Sequence, residues 1–402
     1  MPKQSLLYLL TNNIYFTFKA INESVSKPNN YYICNANKPY SMSRSCSKCL
    51  LSDDIPDVII SSTGICNYCT DHAPFHPYDN QSLQNIFESA KNKKRKYDAL
   101  VPLSGGKDST YVLYLAVKKY NLKVMTYTFD NGLMSELAKE NIKKSIEVCG
   151  VDHLWVSPEK KTIKKLYRTA LLNSGEICGI CGIGIERSML KVSEDYDIPL
   201  ILLGHSPSEG NSFTSENLYD QARIKAILKE NKEISEKEIN DFLIYPHMNF
   251  ISTFFQTKLG KFGRKINILY YEQALSDKEI GDIIKKELQW NDSEHSEYTR
   301  HFDCLAEPFT NYVRDKRFGY SRRLPQLSYM VRNNEISIEE AKKTIEKDQN
   351  ELPDFEFIKE TFEIDDKDID HACKIPLHVY NNKSSTANAI FSKVRTIMNK
   401  KD

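Results

Sequence analysis

The sequence of 402 residues lacks long hydrophobic runs and has almost no net charge. No segment approaches the roughly 18–20 consecutive apolar residues of a membrane helix, and the N-terminus lacks the apolar core and cleavage site of a secretory signal. The formal net charge of +1, from 55 basic and 54 acidic residues, gives no overall attraction to nucleic acid or to an anionic membrane. We therefore expect a cytoplasmic protein without membrane contact, in which only a local basic patch could bind RNA.

Glycine is also scarce, with 15 residues in the chain, and two of them stand together directly after an apolar segment at 99–103. Residues 104–109 read Ser-Gly-Gly-Lys-Asp-Ser and precede an apolar helical segment. Adjacent glycines let backbone N–H groups approach an anion, and the positive end of the helix favours a phosphate there. The spacing differs from that of a Walker loop and of a dinucleotide-binding loop. The pattern predicts a phosphate-binding loop of another kind.

Apolar strands alternate with helical segments through the middle of the chain. The predicted strands cover residues 99–103, 124–129, 153–156, 200–203 and 266–270. This alternation predicts an α/β fold, with a parallel sheet covered by helices on both faces and ligands bound beyond the carboxyl ends of the strands. Residues 104–109, 130–132 and 204–206 fall at that edge. The predicted domain of this type spans 81–275, beginning with a helix at 81–96.

The remaining segments have other patterns. Residues 276–402 are predicted to be mainly helical, with helices near 278–288 and 337–347. Residues 1–41 are rich in Asn, Tyr and Ser without periodicity and are expected to be poorly ordered, so that Met42 is a candidate start.

Six of the ten cysteines form three Cys-x-x-Cys pairs. Without an export signal, this pattern favours metal binding or catalysis over a disulfide framework. The first two pairs have the C-x2-C-x16-C-x2-C spacing of a four-thiolate zinc site, and a segment as short as 42–80 can barely fold without a metal. The sequence predicts a zinc-ribbon module with a structural Zn²⁺ on Cys46, Cys49, Cys66 and Cys69. His72 and His76 are interpreted as bystanders.

The third pair, Cys178 and Cys181, lies in a glycine-rich segment that opens a helix. The helix end is expected to lower the thiol pKa values. Three interpretations remain open: ligands of an iron–sulfur cluster with Cys304 as a third ligand, a redox or sulfur-carrying pair, and small residues packed in a tight turn.

The glycine loop after a buried strand resembles the loop of the PP-loop (HUP-like) ATP pyrophosphatase superfamily. Over residues 42–348 the cysteine pairs, Gly64-Ile65-Cys66, Tyr298-Thr299-Arg300 and Lys316-Arg317-Phe318-Gly319 together resemble the N-acetyl sugar amidotransferases. The resemblance implies an enzyme of bacterial surface-glycan (lipopolysaccharide) biosynthesis. It would use ATP and Mg²⁺, release AMP and pyrophosphate, and convert an acetamido group on a sugar or sugar nucleotide to an acetamidino group.

The resemblance also implies site residues. Catalytic roles fall on Lys107, Asp108 and His205, and Glu209 is a weaker candidate ligand for magnesium. The implied nucleotide-binding residues are Ser104, Gly105, Gly106, Lys107, Asp108, Ser109, Thr110, Phe129, Asp130, Gly132 and Gly204. The alternative interpretations, without a ligand, are a simple loop turn at 129–132 and a structural histidine at 205.

No source of ammonia is visible in the chain. Pro2 rather than cysteine follows Met1, and the Cys178–Cys181 segment does not fit a Gly-x-Cys-x-Gly nucleophile turn. We therefore predict a separate glutaminase partner that delivers ammonia.

Two other functions fit the same motifs. A PP-loop thiotransferase acting on tRNA or a small molecule would use an iron–sulfur cluster on Cys178, Cys181 and Cys304, and a nucleotide-sensing zinc protein would perform no catalysis. A basic and aromatic cluster is either a solvated face or a site for an anionic ligand such as a sugar nucleotide or RNA. Its members are Arg314, Lys316, Arg317, Phe318, Tyr320, Arg322 and Arg323.

Overall fold

The computed structural model describes residues 43–55, 57–91, 94–205, 218–273, 275–292, 303–350, 352–377 and 379–380. The predictions for 1–41, Met42, Ser206, Glu209 and 298–302 lie outside these residues.

Five parallel strands form one sheet. They are β1 (Ala99–Pro102), β2 (Val124–Phe129), β3 (Asp152–Val156), β4 (Leu200–Leu203) and β5 (Arg264–Asn267). Their order across the sheet is β3-β2-β1-β4-β5. The central strand, β1, pairs on both sides, with Ala99 in register with Val124 and with Leu200. The order reverses at β1, and ligands of such sheets bind at that point beyond the carboxyl ends.

The prediction for the last strand is wrong at both ends. The strand begins at Arg264 and ends at Asn267, and residues Ile268–Tyr271 form a 3-10 helix. The apolar run that suggested a strand is buried through this tight turn instead, since Ile268, Leu269 and Tyr271 all belong to the core.

Helices cover both faces of the sheet and make up the C-terminal region, as predicted. The helices before β5 are α1 (Asn67–Thr70), α2 (Asn80–Ala90), α3 (Lys107–Tyr114), α4 (Glu136–Cys149), α5 (Lys160–Ser174), α6 (Cys178–Asp195), α7 (Gln221–Leu228), α8 (Glu236–Leu243) and α9 (Phe250–Lys258). Those after β5 are α10 (Asp277–Leu288), α11 (Glu307–Phe318), α12 (Leu324–Arg332), α13 (Ile338–Asn350), α14 (Phe355–Phe362) and α15 (Asp366–Lys374). In the described part of the chain, no helix combines the length and the apolar character that crossing a bilayer requires.

Local signals in the sequence explain most helix ends. Ser135 caps α4 by accepting from the N–H of Ala138, and α4 and α5 each end at a glycine in the left-handed region. Ser276 begins α10 with the reciprocal hydrogen bonds of a capping box. The helix predicted for 81–96 is shorter than expected, because α2 ends at Ala90, before the basic run.

Apolar packing joins the N-terminal cysteine module to the C-terminal helices. Leu51 and Cys66 are fully buried in one cluster with Leu327, Met330 and Ala341 from α12 and α13. A separate core lies between the sheet and helices α2, α3, α4 and α10. The module therefore docks onto the helical hairpin α12–α13.

Candidate nucleotide site

The glycine loop between β1 and α3 has the geometry of an anion cradle. Gly105 has φ +81°, and a Cβ atom there would lie 2.2 Å from the carbonyl oxygen of Ala138, so only glycine fits. Ser109 closes the loop: its Oγ donates to the carbonyl of Gly106 at 3.1 Å and accepts from the N–H of Ser104 at 3.2 Å. Among the described residues, no side chain caps α3 at Gly106. The N–H groups of the first turn are therefore left for a ligand.

Two distant residues fix the loop from behind. The indole N–H of Trp290 donates to the carbonyl of Gly105 at 2.9 Å, and the amide of Asn141 donates to the same oxygen at 3.3 Å. Asn141 also exchanges two hydrogen bonds of 2.8 Å with the backbone of Asn291. Sequence reasoning missed both side chains, although Trp290 is one of only two tryptophans and was available as a signal.

Lys107 lies at the start of α3 between two carboxylates. Its ammonium nitrogen is 2.5 Å from Oδ1 of Asp108 and 2.9 Å from Oδ1 of Asp277, and the side chain is 15% exposed. Burial by itself would lower the pKa of Lys107, but the charges of the two carboxylates outweigh it and raise the pKa. The ammonium is therefore charged at neutral pH.

The carboxyl ends of β2 and β4 lie at the same edge. Asp130 accepts from the N–H of Gly132 at 3.0 Å, and Phe129 is half-buried among the apolar residues beneath the sheet. A Cβ atom on Gly204 would lie 3.1 Å from the carbonyl oxygen of Asp108, so the end of β4 touches the start of α3. His205 follows and is exposed.

One predicted nucleotide-binding residue points elsewhere. Thr110 is fully buried, and its hydroxyl has no hydrogen-bond partner among the described residues. Its side chain belongs to the interior beneath α3 rather than to the open edge of the sheet.

The segment around residue 303 covers the same loop. The N–H of Ser135 donates to the carbonyl of Asp303 at 3.1 Å, and the N–H of Leu305 donates to that of Leu133 at 2.7 Å. The carboxylate of Asp303 lies 3.7 Å from the position that a Cβ atom on Gly106 would take. Residues far apart in sequence are therefore assembled around the glycines.

Cys178, Cys181 and Cys304 come together beside this edge. The amide of Asn131, in the loop after β2, donates to the sulfur of Cys181 at 3.1 Å, and Cys181 and Cys304 pack on the same apolar cluster. Among the described residues, their sulfur atoms do not form a group within 4.8 Å of one another, unlike the four sulfurs of the N-terminal module.

The expected lowering of the thiol pKa values is wrong. Burial raises the pKa of Cys178 to about 12, with a further contribution from the carboxylate of Glu176, and it also raises the pKa values of Cys181 and Cys304. Desolvation of the thiolate outweighs the helix end in these surroundings. Without a metal these groups are protonated thiols at neutral pH.

A buried ion pair ties the turn before α6 to α11. Nε of Arg314 donates to Oε2 of Glu176 at 2.6 Å, and Oε1 of Glu176 accepts from the N–H of Cys178 at 3.3 Å. Arg317 donates to the carbonyl of Gly175 at 3.3 Å. Arg323 is buried and pairs with Asp348 at 2.7 Å. Much of the basic cluster therefore holds the fold together rather than forming a solvated face.

Replacing Arg314 with Met should destabilise the protein by about 3–5 kcal/mol, because it leaves the Glu176 carboxylate buried without its counterion. Urea unfolding measures this effect. Lys316→Met, an exposed change on the same helix, should cost less than about 0.5–1 kcal/mol. The double variant E176Q/R314M should recover part of the loss, and an Arg314→Met protein as stable as Lys316→Met would contradict the assignment.

The four N-terminal cysteines fit a tetrahedral metal site. Their sulfurs all lie within 4.8 Å of one another, and Cys46–Cys69 and Cys49–Cys66 are 3.7 Å apart. Zinc–sulfur bonds of about 2.3 Å give a tetrahedron edge of about 3.8 Å. Backbone N–H groups approach the sulfur of Cys46 at 3.3–3.4 Å. Four thiolates fill a tetrahedral shell, so the arrangement suits a structural metal and not a catalytic one.

Comparisons with known proteins match two parts of the chain. A family model described as LPS biosynthesis protein WbpG-like, C-terminal domain, matches residues 270–395, and a model for the queuosine biosynthesis protein QueC matches residues 98–180. The uncharacterized protein MJ1599 of Methanocaldococcus jannaschii is 25% identical over 175 residues, which are 42% of this chain and 62% of that relative. The match thus spans less than two thirds of the relative's length.

Two solved structures resemble about half of the chain. NMN synthetase from Francisella tularensis has 16% identity and a TM-score of 0.27, covering 49% of this chain and 95% of that one. NH3-dependent NAD synthetase from Campylobacter jejuni has 15% identity and a TM-score of 0.26, covering 53% and 94%.

The family matches confirm the recognition made from the sequence. The QueC match begins one residue before β1 and includes the glycine loop, and the WbpG-like match contains Trp290 and Asp303. The glycine loop thus lies in a segment that matches a model of the PP-loop family, and the C-terminal region matches a WbpG-like domain.

Proposed function

We propose that this protein is an ATP-dependent amidotransferase of surface-glycan biosynthesis, which converts an acetamido group on an N-acetylated sugar or sugar nucleotide to an acetamidino group. One observation carries the proposal: the WbpG-like domain supplies part of the nucleotide loop's surroundings. Trp290 donates to Gly105, and the Asp303 carboxylate lies against Gly106. Residues of the WbpG-like domain and of the PP-loop therefore contribute to the same candidate site.

The proposed reaction has two steps. The acetamido oxygen attacks the α-phosphorus of ATP, an O–P bond forms, and the bond to the β-phosphate breaks with release of pyrophosphate. Ammonia then attacks the carbon of the resulting imidate, a C–N bond forms, and the C–O bond breaks as AMP leaves. Loss of one proton from the added nitrogen gives the acetamidino group. Adenylation is needed because an amide carbonyl is a poor electrophile and its oxygen a poor leaving group.

The residues of the chain have distinct parts in this reaction. The N–H groups around Gly105 and Gly106 hold the phosphates that leave as pyrophosphate, and Lys107 supplies positive charge as that group departs. Asp108 fits a magnesium ligand, because it places a carboxylate oxygen at the loop. Mg²⁺ would neutralise charge on the departing pyrophosphate. His205, at the open end of β4, is proposed to contact the nucleotide or the acceptor.

Ammonia is proposed to come from a separate glutaminase. The purified chain should then use ammonium salts and should not hydrolyse glutamine. Turnover of glutamine by the chain alone would contradict this part of the proposal.

A thiotransferase is the second candidate, favoured by the gathering of Cys178, Cys181 and Cys304 beside the loop after β2. The donor set suits an iron–sulfur cluster, because thiolates are the usual ligands of such clusters and metal binding would deprotonate these buried thiols. Anaerobic purification followed by iron and sulfide analysis separates the two candidates. Zinc alone favours amidation, whereas iron with labile sulfide favours sulfur transfer.

The amidotransferase is tested by incubating the protein with ATP, an ammonium salt and candidate acetamido sugars, with tRNA as the competing acceptor. We expect AMP and pyrophosphate in equal amounts and a sugar product about one mass unit lighter, since NH replaces O. Release of ADP would overturn the proposal. Lys107→Ala should lower the rate by about 10²–10³-fold, because a charge is lost where negative charge develops. Lys118→Ala, an exposed change just beyond α3, should leave the rate unchanged.

A further inference from the structure

We propose that Asp277, the first residue of α10, is a second carboxylate ligand for the divalent cation that accompanies ATP. The inference rests on the proposed function, because it concerns the same nucleotide loop. It assigns a role to a residue outside every motif that the sequence analysis identified. The cation would thereby be held jointly by the PP-loop and by the WbpG-like part of the chain, which begins at residue 270.

The position of Asp277 is fixed by its helix. Ser276 caps α10 through a reciprocal pair of hydrogen bonds with Glu279, and α10 packs along α3, the helix that follows the glycine loop. Ile280 and Ile284 of α10 are buried in the core that α3 shares. This packing holds Asp277 beside the first turn of α3, at the place where phosphates are expected.

The two oxygens of Asp277 have different surroundings. Oδ1 is 2.9 Å from Nζ of Lys107, whereas Oδ2 is buried and has no hydrogen-bond partner among the described residues. A buried carboxylate oxygen without a donor costs free energy unless a ligand satisfies it. Because the carboxylate contacts Lys107 of the candidate phosphate-binding loop, a metal cation is the ligand whose chemistry fits.

The distribution of charge around the loop also requires a cation. Asp108 and Asp277 both lie within 3 Å of the single ammonium of Lys107. Carboxylates therefore outnumber the lysine at a place where a triphosphate must bind. Repulsion between them and the phosphates is relieved by a divalent cation.

The ligand set suits magnesium in particular. Mg²⁺ is usually bound by one or two carboxylates together with substrate phosphates and waters. The ammonium of Lys107 occupies a position between two carboxylate oxygens that such a cation could also occupy. Lys107 would then be released toward the phosphates, where its charge is needed in the reaction.

Binding of Mn²⁺ in the presence of the non-hydrolysable analogue α,β-methylene-ATP tests the inference without any need for turnover. Free Mn²⁺ is followed by its paramagnetic resonance signal in titrations of the full chain. For Asp277→Asn we expect the dissociation constant of Mn²⁺ to rise by about tenfold or more, since even outer-shell partners of metals cost about 10–100-fold. Asp277→Glu, which keeps a carboxylate, should recover part of the affinity.

The matched control is Asp282→Asn, an exposed change on the same helix, which should bind Mn²⁺ as the wild type does. Thermal melting of each variant shows that the fold is retained. Equal Mn²⁺ affinity in the wild type and Asp277→Asn would overturn the inference while leaving the proposed function intact. Tighter binding of the analogue without metal in Asp277→Asn, at unchanged Mn²⁺ affinity, would also overturn it, because Asp277 would then only restrain Lys107. A wild-type protein that binds no nucleotide would overturn both proposals.

Discussion

Replacing Gly105 with Ala should abolish nucleotide binding, with a loss of about 100-fold or more in affinity for ATP. Two effects combine at this position. The backbone is in the left-handed region, which costs an L-residue about 1–2 kcal/mol, and the new Cβ would lie 2.2 Å from the carbonyl oxygen of Ala138. Since that oxygen belongs to helix backbone, the loop must move and its N–H groups lose their alignment. Calorimetric titration with ATP measures the loss.

Gly260→Ala, in the turn after α9, is the matched control for this prediction. Gly260 has φ +79°, close to the +81° of Gly105, but a Cβ atom there would meet nothing within 4 Å. The control variant therefore contains the backbone strain without the collision, and it should lower stability by about 1–2 kcal/mol. If the two variants bound ATP equally well, the close contact with Ala138 would not be what shapes the loop.

Removing the metal from the four-cysteine module should have the other large effect. Structural zinc contributes about 10–16 kcal/mol to the folding of zinc-finger peptides, and a module as short as residues 42–80 has only a small core to replace that contribution. We expect one equivalent of zinc in the purified protein. Cys66→Ser, at a fully buried position, should lose the metal and release the module from Leu327 and Met330 on α12.

Metal analysis and thermal melting measure this prediction together. Cys149→Ser, at an isolated cysteine of α4, should keep the full metal content and most of the stability. A Cys66→Ser protein that melts as the wild type does would show that packing on α12 and α13 holds the module without metal. Metal-free wild-type protein with an unchanged melting temperature would contradict the prediction outright.

Local sequence patterns predicted the strands and helices well, because interactions between residues close in sequence determine these elements. Alternating strands and helices gave the parallel sheet, and the helices predicted near 278–288 and 337–347 begin within one residue of the starts of α10 and α13. The last strand was misplaced, because the apolar run at 266–270 is equally compatible with a buried 3-10 turn. The polar start of β5 at Arg264 and Lys265 gave no strand signal, as is common for a strand at the edge of a sheet.

The candidate nucleotide site could be predicted only where its residues are contiguous in sequence. The loop at 104–109 and the strand ends at 129–132 and 204–205 follow from the rule for parallel sheets. Trp290 and Asp277 could not be placed, since their contacts join residues more than 160 positions apart and no periodicity encodes them. The prediction of lowered thiol pKa values was wrong for a different reason. Burial depends on the tertiary structure, and it raises the pKa values that the helix end was expected to lower.

The hydrogen bond from Trp290 to Gly105 has a consequence for biosynthesis. During translation Gly105 leaves the ribosome nearly two hundred residues before Trp290. A nascent chain therefore contains the glycine loop long before it contains the indole that fixes the loop. Under the proposed function, nucleotide binding would therefore be possible only late in synthesis, after all five strands of the sheet have been translated.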